Sequence, residues 1–361
     1  MSRLIILQNT IKCKRERKNT VKAVSEKAKT EEKKLYPEVV GIILSAIGVA
    51  LLWTDWSNMI KQTMCALIGL AGFGILAPMM QARRIKPAIR VLAALLGVAL
   101  IAANVVLGES EYGAQNWLTI AGWTFQPSEL VKVCVVILAT GLTDKSSKFR
   151  FILFTAFSAV AVLAMAFIND FGSALVFFLA YLAAAVDNKR YYMAGLAAVS
   201  AGGAGALAVK LRPHIAARFL SCGKAWENVA TTGYQQTRTM IAIASGGLVG
   251  AGLGNGWLRG VAAADTDMVF GIVCEELGLI IGVLMIILVL YLGVAVLMRP
   301  SSGSGAVAAA VILMAQMALN VLGSVDVVPF TGVTFPFVSR GGTSVLACWG
   351  LLAVIDGDKN A

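Results

Sequence analysis

Ten stretches of the chain are apolar for long enough to cross a bilayer or nearly so: roughly 38–54, 61–81, 88–107, 128–142, 149–168, 171–186, 191–210, 268–298, 305–325 and 342–356. A hydrocarbon core of about 30 Å asks for roughly 20 apolar residues per helix, so the fourth and sixth are short and the eighth is long. Lipid offers backbone groups no hydrogen-bond partners, and such stretches therefore fold as helices. The expectation is an all-α, polytopic membrane protein of about ten transmembrane helices with both termini on one side. Composition agrees: 58% of residues are hydrophobic and 14% charged, against about 45–50% and about 25% in a soluble domain.

The net charge of +11 takes its meaning from where the excess lies. Residues 1–37 hold 11 Lys or Arg and four Glu, with almost no aromatic side chains. This reads as a solvated, disordered cytoplasmic tail ahead of a transmembrane domain over 38–361. No apolar run with a small-residue cleavage site follows near the start, so the tail does not read as a secretory signal. With the N-terminus inside, 22 of the 31 basic residues fall on the cytoplasmic side. The other nine, Lys61, Lys132, Lys210, Arg212, Arg218, Lys224, Arg238, Arg259 and Arg340, lie in outer loops or spans. Basic residues flanking spans stay in the cytoplasm. The excess is a topology signal, and no nucleic acid is implied as a partner.

Three outer segments, about 108–127, 211–267 (between helices 7 and 8) and 326–341, are long enough to carry structure of their own, so function is expected on that face. Within the largest, 233–256 reads as an amphipathic or re-entrant helix followed by a flexible glycine-rich stretch. Its glycines do not match a nucleotide-binding loop. The six cysteines lack CxxC pairing and mostly sit in apolar runs, which supports neither zinc nor a disulfide framework. His214 is the sole histidine, so no histidine-based triad is available. No internal repeat is evident, which argues against alternating access.

Ionisable side chains in or beside apolar spans are costly and mark function by default. One cluster runs from Trp117 to Lys132. Pro127, Ser128 and Glu129 start a helix, and Glu129 and Lys132 share one face as a structural ion pair or an anion site. A second runs from Thr266 to Gly278. Asp267 begins a long apolar helix, as a cap or a general base, and Glu275 and Glu276 lie two turns deeper. The third covers residues 329–344, where Ser339, Arg340, Gly341 and Gly342 precede the last span, as a plain turn or an anion-binding helix start. Asp170 sits at the turn between two spans.

In this order and spacing the clusters resemble the SEDS family of FtsW, RodA and SpoVE proteins. The matching strings are Phe125-Gln-Pro-Ser-Glu-Leu-Val-Lys132, Gly233-Tyr-Gln with 245–254, Thr266-Asp-Met-Val-Phe270 with 275–278, and Pro336-Phe-Val-Ser-Arg-Gly-Gly342; Asn169-Asp-Phe-Gly172 resembles the family's Asp-Leu-Gly turn. The resemblance implies a peptidoglycan glycosyltransferase in the bacterial plasma membrane. It would polymerise lipid II on the outer face during division, elongation or sporulation, beside a class B penicillin-binding protein and other divisome or elongasome membrane proteins. Asp267 matches the family's essential aspartate.

Substrate contacts are expected from Gln126, Ser128, Glu129, Lys132, Asp170, Arg218, Arg238, Glu275, Glu276, Ser339, Arg340, Gly341 and Gly342. No cofactor is implied beyond a divalent cation that carboxylates could share with a diphosphate. Two positions depart from the family: Asn116 stands where many members have Arg, and Arg340 where many have Tyr. Arg340 could supply the charge lost at Asn116. A lipid II flippase and a non-catalytic scaffold are the alternative readings.

Overall fold

The computed structural model describes residues 35–82, 84–111, 114–120, 123–142, 148–211 and 213–359. Nearly all of the basic tail lies outside that set, as do Arg83, Lys145 and Arg212. The chain forms α1 (Pro37–Leu51), α2 (Trp56–Gln81), α3 (Lys86–Leu107), strands β1 (Glu109–Glu111), β2 (Ala114–Ile120) and β3 (Trp123–Phe125), then α4 (Pro127–Ala139), α5 (Lys148–Phe167), α6 (Phe171–Asp187) and α7 (Tyr191–Leu211). It continues with α8 (Pro213–Ser221), α9 (Tyr234–Gly246), α10 (Ala264–Asp267), α11 (Val269–Leu277), α12 (Leu279–Met298), α13 (Ser304–Ser324) and α14 (Gly342–Gly357). Among the described residues, five helices, α2, α3, α5, α12 and α13, are long and apolar enough to cross a membrane, and α1, α6 and α14 are shorter apolar helices.

Starts and stops follow local chemistry. Proline opens α1 and α4, where its missing N–H would be unpaired anyway. Asp55 caps α2 through the Asn58 N–H at 3.1 Å, and Asp170 caps α6 through the Ser173 N–H at 3.0 Å. Helices α4, α6, α13 and α14 form the buried centre, while α2, α3, α5, α7 and α12 expose many apolar residues around it. Glycines permit the close crossings. Trp349 of α14 wedges against Gly41 of α1 and Gly69 of α2, its ring meeting Phe73 and Phe337 edge-on. A side chain at either glycine would collide with the indole.

Two departures from the sequence expectation have physical causes. The segment 108–127 is a three-stranded antiparallel sheet in the order β1-β2-β3, in a fold otherwise built of helices. The expected span 268–298 is two helices, broken at Gly278 with φ +89°. The break strands backbone groups, and the glycine-rich stretch satisfies them. Ala251 and Gly252 N–H donate to the Glu275 and Glu276 carbonyls at 2.8 and 2.9 Å, while Leu279 N–H donates to the Gly247 carbonyl at 2.9 Å. Backbone groups released by such a break need partners, and here the protein supplies them.

One end of the bundle carries the sheet, α8–α11 and the 325–341 segment; the other is closed by a clamp on Asp358. The Asp358 carboxylate pairs with Lys86 Nζ at 2.5 Å and accepts from Gly305 N–H at 2.9 Å, and its carbonyl accepts from Gly303 N–H at 2.8 Å. Gly278→Ala should destabilise the protein by about 1–3 kcal/mol from backbone strain alone. The added Cβ would also run into the Leu248 carbonyl and Val249. A lowered thermal-unfolding midpoint in detergent is the expected reading.

Candidate active site

The 325–341 segment is fastened residue by residue to the run Asp265–Thr266–Asp267. Asn320, a buried amide on α13, donates to the Val333 carbonyl at 2.8 Å and to the Asp267 carbonyl at 3.0 Å. Ser339 Oγ donates to the Thr266 carbonyl at 2.5 Å and accepts from Phe335 N–H at 2.8 Å. Arg340 N–H donates to the Asp265 carbonyl at 2.8 Å, and its guanidinium Nε pairs with Asp265 Oδ2 at 2.9 Å. From α2, Gln62 donates to the Ser339 carbonyl at 3.1 Å and accepts from Gly341 N–H at 3.2 Å.

Asp267 is the last residue of α10, not the first of a long helix, and α11 starts behind Met268 with no side-chain cap. The N-cap position of α11 is Met268, not Thr266 or Asp267. Thr266 Oγ1 instead donates to the Ala263 carbonyl at 3.0 Å. The half-buried Asp267 carboxylate faces Gly332, which takes φ +65°. A Cβ on Gly332 would lie 3.0 Å from Asp267 Oδ2. This carboxylate therefore has bare backbone in front of it.

Thr331 and Val333 pass over Gly172, in the first turn of α6. Asp170, which caps that turn, accepts from Asn116 Nδ2 at 3.4 Å. Asn116, where the resemblance led to an arginine being expected, thus meets Asp170 as a neutral amide. Among the described residues, Asn116 Oδ1 and Thr331 Oγ1 are both buried without hydrogen-bond partners.

Beneath the segment, Glu129 and Lys132 form an ion pair at 2.7 Å with each residue 3% exposed or less. Among the described residues, Glu129 Oε2 and Ser128 Oγ have no hydrogen-bond partner. Gln126 N–H donates to Thr343 Oγ1 at 3.3 Å, which ties the start of α4 to the start of α14. Thr334 Oγ1 and Ser344 Oγ lie 2.9 Å apart in the same buried layer. Gly341 and Gly342 form the start of α14, again without a side-chain cap.

Glu275 and Glu276 face the glycine-rich loop. Glu275 accepts from Trp257 and Leu258 N–H at 3.0 and 3.1 Å. Glu276 accepts from Gly254 N–H at 3.0 Å and pairs with Arg259 Nε at 2.5 Å. Arg259 also donates to the Leu51 carbonyl at the end of α1. Arg238 of α9 stacks its guanidinium 5.2 Å from the Tyr234 ring, with Nε buried and unpartnered. Arg218 lies on α8, its side chain outside the described residues.

Hydrogen bonds from the Asn58 backbone and side chain hold the Asp55 carboxyl below its usual range, and the Arg340 charge adds to this more weakly. Arg340 thus has two carboxylates near it, Asp265 and Asp55. Among the described residues no three His, Cys, Asp or Glu side chains converge where they could hold a metal ion. A divalent cation would need oxygens from a bound ligand to complete its shell.

Sequence reasoning missed Asp265, Asn320, Gln62 and Gly332. Asn320 and Gln62 did leave a signal, as polar side chains inside helical runs that are otherwise largely apolar. Asp265 and Gly332 acquire meaning only when the two segments meet.

A family model described as cell cycle protein, FtsW/RodA/SpoVE, matches residues 35–358. The peptidoglycan glycosyltransferase RodA of Mycobacterium leprae is 29% identical over 321 residues, covering 82% of this chain and 68% of the relative. The probable peptidoglycan glycosyltransferase FtsW of Caulobacter vibrioides is 32% identical over 275 residues, 69% of this chain and 66% of that protein. In fold the chain is similar to a component of a peptidoglycan synthase complex that coordinates polymerization and crosslinking, with TM-score 0.67, 21% identity and coverage of 89% and 95%. It is likewise similar to the rod shape determining protein RodA of Thermus thermophilus, with TM-score 0.57, 21% identity and coverage of 88% and 94%.

Removing one partner of a buried ion pair strands the other charge, at a cost of about 3–5 kcal/mol. Lys132→Ala should lower stability by that order. The double variant Glu129→Met with Lys132→Leu should recover much of the loss in thermal unfolding.

Proposed function

The chain belongs to the FtsW/RodA/SpoVE family of cell cycle proteins, and on that premise we propose that it is a multi-pass membrane peptidoglycan glycosyltransferase polymerising lipid II. The observation that carries the chemistry is the Asp267 carboxylate lying against Gly332, on a run in which Asp265, two residues earlier, holds Arg340. Glycosyl transfer of this kind needs a base at the acceptor hydroxyl and a cation at the leaving group.

Asp267 takes the proton from the acceptor GlcNAc 4-hydroxyl, whose oxygen attacks the anomeric carbon of the donor MurNAc. The bond from that carbon to the diphosphate oxygen breaks, undecaprenyl diphosphate leaves with the electron pair, and configuration inverts. Arg340, 41% exposed at its side chain, is the first candidate cation for the diphosphate; Arg238 and Arg218 are further candidates on the connecting segment. Lys132 and Glu129, sealed in the core, hold α4 beneath the reacting residues. Glu275 and Glu276 fix the glycine-rich loop.

The distribution of basic residues supports placing the Asp267 end on the outer face of the plasma membrane. Likeness to a chain from a synthase complex supports a crosslinking partner of the class B penicillin-binding type.

Purified protein supplied with lipid II should yield a ladder of glycan strands on gels. Asp267→Asn should cut the rate by about 10²-fold or more, and undiminished polymer from that variant would overturn the assignment of the base. Arg340→Ala should reduce it about 10- to 100-fold, as loss of a hydrogen bond to a charged group does. Movement of labelled lipid between leaflets without polymer would return the chain to the flippase reading.

A further inference from the structure

The Asp265–Arg340 pair has a use that its fastening role does not account for. The 325–341 segment is already held to Asp265–Asp267 through backbone groups: Arg340 N–H to the Asp265 carbonyl, Ser339 to the Thr266 carbonyl, and Asn320 to the Val333 and Asp267 carbonyls. Adding a side-chain ion pair to that stretch gains little. The two side chains keep 41% and 27% of their surface exposed, and exposed pairs contribute about 0.2–1 kcal/mol. The pair is nonetheless made at 2.9 Å, beside the proposed base. A carboxylate on a guanidinium occupies the position that a phosphate oxygen would take, because both anions present the same planar donors with matching acceptors.

We propose that Asp265 is a built-in competitor for the anion site of Arg340, a positioning residue that an isoprenyl diphosphate displaces when it binds. This rests on the reading of Arg340 as the leaving-group cation. Without ligand, Asp265 keeps the guanidinium neutralised and aimed along the segment that carries Asp267. When a diphosphate arrives, Arg340 exchanges one carboxylate for phosphate oxygens while its own N–H stays on the Asp265 carbonyl, so the loop need not detach. The device also answers the two departures at 116 and 340. The cation at Arg340 does not stand bare in place of the charge missing at Asn116; it comes with its own counter-anion, and the net charge of the pair is zero until ligand intervenes.

The test measures binding of farnesyl diphosphate, an isoprenyl diphosphate without sugar, to the purified full chain in detergent. Wild type is compared with Asp265→Asn, Arg340→Ala and the double variant. Asparagine keeps the backbone carbonyl and the side-chain shape and removes the charge. Asp265→Asn should bind about two- to fivefold more tightly than wild type, the size expected for release of an exposed pair. Arg340→Ala should bind more weakly, and adding Asp265→Asn to it should change nothing further.

Equal or weaker binding by Asp265→Asn would overturn the proposal, as would a gain that persists without Arg340. Should Asp265→Asn fail to fold, Asp265→Ser carries the same expectation. Absence of binding by every variant would also overturn it. Polymer formation from lipid II by the same wild-type preparation judges the glycosyltransferase reading separately. A residue that merely held the loop would not raise affinity when removed.

Discussion

Keeping irregular backbone hydrogen-bonded where the helix ladder is interrupted is the requirement on which this end of the bundle rests. The helix break at Gly278 exposes carbonyls and amides, and the glycine-rich stretch after α9 lies against the break and pairs with them. That stretch is in turn organised by two carboxylates, since Glu275 and Glu276 collect amide donors from residues 254, 257 and 258. Arg259 closes the arrangement by joining Glu276 to the end of α1. Charge buried in this way is tolerated because each carboxylate is met by several donors.

The same economy of backbone pairing sets Asp267 in place. Asn320 holds the Asp267 carbonyl and the Val333 carbonyl with one amide, so the acid and the segment opposite it move as a unit. The buried Glu129–Lys132 pair and the Thr334–Ser344 contact form a polar layer below. The proposed base is thus mounted on irregular chain held by several hydrogen bonds, which is what preorganised chemistry needs.

Much of this was legible beforehand. The apolar runs located the helices, Pro127 marked the start of α4, and the spacing of Glu129 and Lys132 put them on one face. Hydropathy missed the break within 268–298, because Gly278 sits between two runs that are each as apolar as a span interior. It also missed the small sheet, whose few strand residues leave a weak periodic signal between two helices. Partnerships were harder still. Asp265 with Arg340 and Gln62 with Ser339 join residues distant in the chain, and no local pattern encodes them. Glu275 and Glu276 were conspicuous as intramembrane acids, but which way they faced depended on a loop whose course sequence does not disclose.

Gly332 carries a consequence for control. The space in front of Asp267 is bounded there by a hydrogen atom, in a backbone conformation that other residues adopt only under strain. Bulk at this one position would crowd the carboxylate by shape, without changing any ionisable group. Position 332 thus sets how near a neighbouring group can come to the acid from that side, a control exerted by the smallest residue in the chain.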